Sequence, residues 1–130
     1  MTLPITTTFI LALAVLMLVL WFNVTKTRAA MAVSIGDGGD TQLHERIRRH
    51  GNFVEWVPLS VLMLALAELQ GASAIWLYLA GGLCLFGRLV HPFGLRAQNA
   101  AHPARIVGNS SNILAVLILM GVLARQMMLT

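Results

Sequence analysis

The sequence predicts an all-α fold, an integral membrane four-helix bundle, and three observations carry that expectation. Of 130 residues, 58% are hydrophobic and only 11% are charged, against about a quarter charged in an ordinary soluble domain, and the mean hydropathy is +0.79. Four long apolar runs follow one another along the chain, each long enough to cross a bilayer. Eight of the nine lysines and arginines gather in or beside two of the connections between those runs.

The expected spans are about 5–24, 41–69, 73–91 and 104–126, a single transmembrane domain. Ile5 to Phe22 carries no charge, and the hydroxyls of Thr6, Thr7 and Thr8 can bond back to helix carbonyls. Met1 to Thr8 lacks the basic start of a cleavable signal, so this first segment is expected to stay. Lys26 and Arg28 mark its exit, and Gly36-Asp37-Gly38-Gly39-Asp40 is a cluster of turn formers.

Asp40 or Thr41 suits the N-cap of the second helix, because its side-chain oxygen can accept from an unbonded first-turn amide. That helix begins as a basic juxtamembrane section, turns apolar near Phe53 and bends at Pro58, which leaves the Val54 carbonyl without its helical donor. Gln70-Gly71-Ala72-Ser73 is a short connection, so the third helix returns antiparallel and ends near His91-Pro92. A second long polar loop, Phe93 to Ala104, leads to Pro103, suited to the first position of the fourth helix. Lys26, Arg28, Arg46, Arg48, Arg49, Arg88, Arg96 and Arg105 on one side, against Arg125 alone on the other, predict cytoplasmic long loops and termini on the opposite face.

Several function classes are excluded on composition and spacing. The net charge of +4 comes from basic residues scattered among apolar runs, which give no continuous nucleic-acid surface. Histidines 44, 50, 91 and 102 form no i, i+4 pair and have no cysteine beside them, so no metal site is expected. Cys84, among Gly82, Leu83, Leu85 and Phe86, reads as a small buried hydrophobe. Asn109 to Asn112 reads as the polar, small-residue face by which the fourth helix packs. No span carries a charge near its centre, which speaks against a transporter.

The chemistry concentrates between Glu45 and Pro58. At 100° per residue, Arg48, Asn52 and Glu55 lie within an arc of about 60°, with His44 a turn earlier on the same stripe. Unpaired inside the membrane, Glu55 would cost roughly 3 kcal/mol, and Arg88 poses the same problem at about the same depth on the third helix. A Glu55–Arg88 partnership is the economical expectation, either as a structural pin or as part of a ligand site. Arg48 and Arg49 also satisfy the preference for cations at the cytoplasmic face without any ligand. His91, three residues after Arg88, shares its face, whereas His50 sits about 160° to 200° around the second helix from the stripe and must pack or serve another surface.

Arg48-Arg49-His50-Gly51-Asn52-Phe53-Val54-Glu55-Trp56-Val57-Pro58 resembles the Arg-x-His/Gln-x-Asn-x-x-Glu-aromatic-x-Pro signature of the MAPEG proteins, membrane-associated proteins in eicosanoid and glutathione metabolism. Arg88-Leu89-Val90-His91 resembles the family's third-helix Arg-x-x-His/Tyr, and the Gly36-Asp37-Gly38-Gly39 lead-in is similar to its bacterial branch. The resemblance implies a homotrimer in the membrane, the inner membrane for a bacterial chain, with glutathione as co-substrate in a cleft between subunits. It implies that Arg48, Asn52 and Glu55, with Arg88 and His91, hold the tripeptide, that His50 and Lys26 or Arg28 reach in from a neighbour, and that Arg105 stabilises the thiolate. A small apolar electrophile or a lipid hydroperoxide would be the second substrate of such a transferase or peroxidase. Many family enzymes carry a tyrosine one turn past the third-helix His/Tyr, and here that position is Leu95; the alternative is a non-catalytic trimer that binds glutathione or another anionic ligand. Trp56 replaces a usual tyrosine but keeps an aromatic ring with a donor.

Overall fold

A computed structural model describes residues 2–129; Met1, where the uncharged lead-in begins, lies outside them. Four α-helices make up the fold: α1 (Pro4–Met31), α2 (Thr41–Leu69), α3 (Ala74–Gly94) and α4 (Pro103–Leu129). Each is long and apolar enough to cross a membrane. The 95–102 loop holds one isolated bridge, between Arg96 and Asn99.

Three helices run past the ends read from the sequence, α4 by the last turn to Leu129. Polar residues after Phe22 end the apolar run but not the helix, because Thr27 turns its hydroxyl onto the Asn23 carbonyl (2.7 Å) and the ladder continues to Met31, where Ala32 enters the left-handed region (φ 52°). In α3, Pro92 removes a single backbone donor and the helix goes on to Gly94, whose missing side chain lets it lie against the backbone of Arg105. The α2 start follows local chemistry: the Asp40 carboxylate accepts from the Leu43 amide at 2.6 Å. At the opposite end of α2, Glu68 accepts from the amides of Ile5 (2.9 Å) and Thr6 (2.7 Å). An anionic carboxylate thus satisfies two of the unbonded donors at the positive end of α1.

The α3–α4 seam is the tightest in the molecule. Gly87 and Gly108 face across it: a Cβ on Gly87 would overlap the Asn112 amide and the Gly108 carbonyl, and one on Gly108 would lie 2.8 Å from the backbone of His91. Asn112 is buried there and donates to the Gly108 carbonyl (2.7 Å), so only part of the expected Asn109–Asn112 face is seam, with Ser110 exposed. Lipid tails are as apolar as leucine, so such close backbone approach, with its van der Waals contact, is what holds membrane helices together. Leu13, Leu20, Phe53, Val57, Cys84 and Ala115 fill one core cluster, and Ile5, Leu64, Ala67, Leu77, Ala80 and Leu119 fill the other.

Gly108→Ala is expected to lower unfolding stability in detergent micelles by about 1–3 kcal/mol through overpacking. Gly121→Ala on the same helix, whose added Cβ meets nothing within 4 Å, should be neutral or stabilising by up to about 1 kcal/mol. Equal behaviour of the two variants in thermal unfolding would contradict the seam as described.

Candidate functional site

The polar stripe of α2 divides between two partners. Arg48 donates from Nη1 to Glu55 Oε1 at 3.3 Å, and both side chains remain about half exposed, at 48% and 52%. Asn52, rotated about 60° further around the helix than Glu55, turns toward α3 instead. Its Oδ1 accepts from Arg88 Nη1 at 2.5 Å, and its carbonyl accepts from the same nitrogen at 3.3 Å. The expected Glu55–Arg88 pair is therefore corrected. Arg88 is 1% exposed and reaches the residue that faces α3, while Glu55 stands at the helix edge and takes the cation on its own stripe.

Beside this pair lies a cavity of about 240 Å³ between α2, the end of α3 and the start of α4. His44, Glu45, Arg48 and Asn52 line it from α2, His91 from α3, Leu95 and Arg96 from the loop, and Arg105 and Asn109 from α4. Four buried polar atoms in this region have no hydrogen-bond partner among the described residues: Arg88 Nε and Nη2, His91 Nε2 and Asn109 Oδ1. Native interiors rarely leave such groups unmet, because each costs about 1–3 kcal/mol. Cations, amide groups and one carboxylate around a small space at the membrane edge complement a ligand that carries carboxylates and an ammonium.

A clamp fixes the loop across the cavity. Arg49 donates from Nε (3.2 Å) and Nη2 (3.0 Å) to the Leu95 carbonyl, and Nη2 also donates to Glu45 Oε2 at 2.8 Å. The other Glu45 oxygen accepts from the Ala97 amide at 2.8 Å. Composition and the polar stripe give Glu45 no role and Arg49 only that of a membrane-face cation; the signal for the clamp is their i, i+4 spacing with opposite charge. His44 is held in turn by the 36–40 turn, where Asp37 Oδ2 lies 2.6 Å from its Nδ1. The Gly39 amide, and then His44, hold the Asp37 carboxyl below the usual carboxylate range.

Of the residues singled out from the sequence, Arg48, Asn52, His91 and Arg105 meet at one cavity with Arg88 behind them. Glu55, His50 and Arg28 do not line it. His50 is half-buried on the side of α2 away from the stripe, and Arg28, in the last turn of α1, donates to the Ser34 carbonyl of the loop that follows (3.2 Å). Asn109 of α4 and Arg96 of the loop also line the cavity; hydropathy and the spacing within one helix bring neither a loop residue nor a residue of a distant helix to a site.

Asn52→Leu is expected to cost about 3 kcal/mol of stability, because it strips the buried Arg88 of its side-chain acceptor. Asn52→Asp, which supplies a carboxylate to the same guanidinium, should keep or raise stability. Denaturant unfolding of the two variants in micelles checks the order, and an Asn52→Leu protein as stable as the parent would remove the pair from its assigned role.

The family model of the MAPEG family matches residues 6–125. Two curated proteins, both called inner membrane protein YecN, from Escherichia coli strains K12 and CFT073, are each 36% identical to the chain over 81 residues. The match covers 62% of this chain and 62% of each relative, so the chain spans less than two thirds of the length of these relatives. No solved structure matches it.

Proposed function

The chain belongs to the MAPEG family, and on that premise we propose a glutathione-dependent enzyme of the inner membrane, a transferase or peroxidase acting on apolar electrophiles or lipid hydroperoxides. The single observation that carries the reading is the meeting of Arg48, Asn52, His91 and Arg105 around one cavity, with unpartnered buried donors on Arg88 behind it. Arg48 and Arg88 answer the carboxylates of the tripeptide, and Asn52 and His91 orient it. Glu55, His50 and Arg28 lie outside the cavity of one subunit, and in a homotrimer they complete the cleft from a neighbouring copy, with Glu55 meeting the ammonium.

The reaction needs a thiolate, and a thiol with a pKa near about 8.5 is only a few per cent ionised at neutral pH. A guanidinium about 4 Å from the sulfur is worth on the order of 4 kcal/mol at an effective dielectric near 20, against about 1.4 kcal/mol per pKa unit. Even with half of that lost to desolvation, Arg105 alone suffices. In transfer, the sulfur lone pair forms a bond to the electrophilic carbon while the leaving group departs with its electron pair. In peroxide reduction, two glutathiones become the disulfide as the hydroperoxide becomes an alcohol and water.

Arg105→Ala is expected to abolish the thiolate absorbance of bound glutathione while calorimetry still detects binding; an unchanged thiolate signal would remove Arg105 from the role. A second reading, a non-catalytic glutathione binder, is favoured by Leu95, which lines the cavity where the family often has tyrosine. Saturable glutathione binding without turnover of a model electrophile or a lipid hydroperoxide would select it. Under the enzyme reading, Leu95→Tyr should tighten glutathione by about two- to tenfold through one added hydrogen bond.

A further inference from the structure

Helices α1 and α3 are in contact at one end and part at the other. The Phe9 ring packs on Gly81 and meets Tyr78 edge-on at 6.2 Å. Toward the end that carries the long loops, a groove of about 380 Å³ opens between the two helices. Its walls are apolar: Leu20 lies at its back, and Leu89 and Phe93 stand at its mouth, Phe93 72% exposed. Its loop end is formed by Arg46, Arg49 and Arg96, and no carboxylate lines it.

The three guanidiniums are not equivalent. Arg46 is held by the Thr27 hydroxyl and by the Asn23 carbonyl (3.5 Å), both through Nη1, which leaves its other donors free. Arg49 is held by Glu45 and the Leu95 carbonyl through Nε and Nη2, which leaves Nη1. The Arg96 guanidinium has no hydrogen bond or ion pair with any other described residue. Two positioned cations and one free one therefore surround a point at the membrane edge from which an apolar channel runs into the span. Phosphate oxygens suit such a fork of donors, and basic pockets between membrane helices are where anionic head groups bind.

We propose that the α1–α3 groove is a binding site for an anionic phospholipid, with its phosphodiester on Arg46, Arg49 and Arg96 and one acyl chain along Leu20, Leu89 and Phe93. A second copy of the chain is a poorer occupant on charge grounds. The chain has five acidic residues; Asp40 caps α2, Asp37 holds His44, Glu45 holds Arg49, and Glu68 caps α1 at the far end. Only Glu55, already beside Arg48, remains to meet three arginines. The groove shares Arg96 with the α2–α4 cavity, but its apolar walls and Arg46 and Arg49 are its own, so the proposal does not require glutathione to bind in that cavity.

The experiment is native mass spectrometry of the purified full chain, in its solution assembly, with phosphatidylglycerol and phosphatidylcholine of equal chain length. One phosphatidylglycerol per chain should be retained in preference to phosphatidylcholine. Arg96→Gln should weaken phosphatidylglycerol by about fivefold, the effect of one cation near a membrane surface, and reduce the preference accordingly. Leu89→Trp, which fills the groove, should reduce retention of both lipids, and millimolar inorganic phosphate should displace neither. Arg96 is exposed and makes no side-chain bond within the chain, so thermal unfolding of Arg96→Gln should match the parent. Equal retention of the two lipids, an unchanged preference in Arg96→Gln, displacement by phosphate alone, or no retained lipid because a second copy covers the groove would each overturn the proposal.

Discussion

A guanidinium that is 1% exposed and meets a single side-chain acceptor constrains everything around it. Arg88 leaves water because α3 and α4 approach through Gly87 and Gly108, so that no side chain holds the helices apart. Once buried it must be met, since an uncompensated charge in an apolar setting costs several kcal/mol, and Asn52 on α2 meets it. That bond ties the loop-bearing end of α2 to the α3–α4 pair, and the cavity exists in the angle between them. The Glu45–Arg49 clamp then draws the 95–102 loop over the same end. Small residues set the depth, the buried cation sets the partner, and the partner sets the site.

Two of the openings at the end of the bundle that holds the long loops are built on different principles. The α2–α4 cavity mixes donors and acceptors, as a small zwitterion with several carboxylates requires. The α1–α3 groove has cations at one end and hydrocarbon along its length, as an anionic amphiphile requires. Arg96 lines both, and the Arg49 guanidinium, through Leu95, sits between them. The basic surplus that sequence analysis assigned to membrane orientation thus also has local work to do in the fold.

How much of this was legible in the sequence depends on the range of the interaction. The four spans were, because crossing a bilayer demands a run of apolar residues. The Asp40 cap and the Pro103 start were, because their reasons lie within a turn. The ends of α1, α3 and α4 were not, because hydropathy reports where the membrane stops, and a helix stops where its backbone bonds do. Helical spacing placed Arg48, Asn52 and Glu55 on one stripe, and Arg48 does meet Glu55. It did not say which of the three Arg88 would reach, since periodicity gives a face but not the distance to a neighbouring helix. Glu45–Arg49 carried a local signal in its spacing, whereas Glu68 carried none at all, its partners lying more than sixty residues away in sequence.

That last contact bears on how the molecule comes together. The first turn of α1 is completed by a carboxylate that belongs to the far end of α2, so α1 alone has two amides unbonded and α2 alone has a charge unmet. Neither helix is a finished object by itself. The α1–α2 hairpin closes this one end of both helices, and a first span formed alone keeps that end bare until α2 brings Glu68 to it.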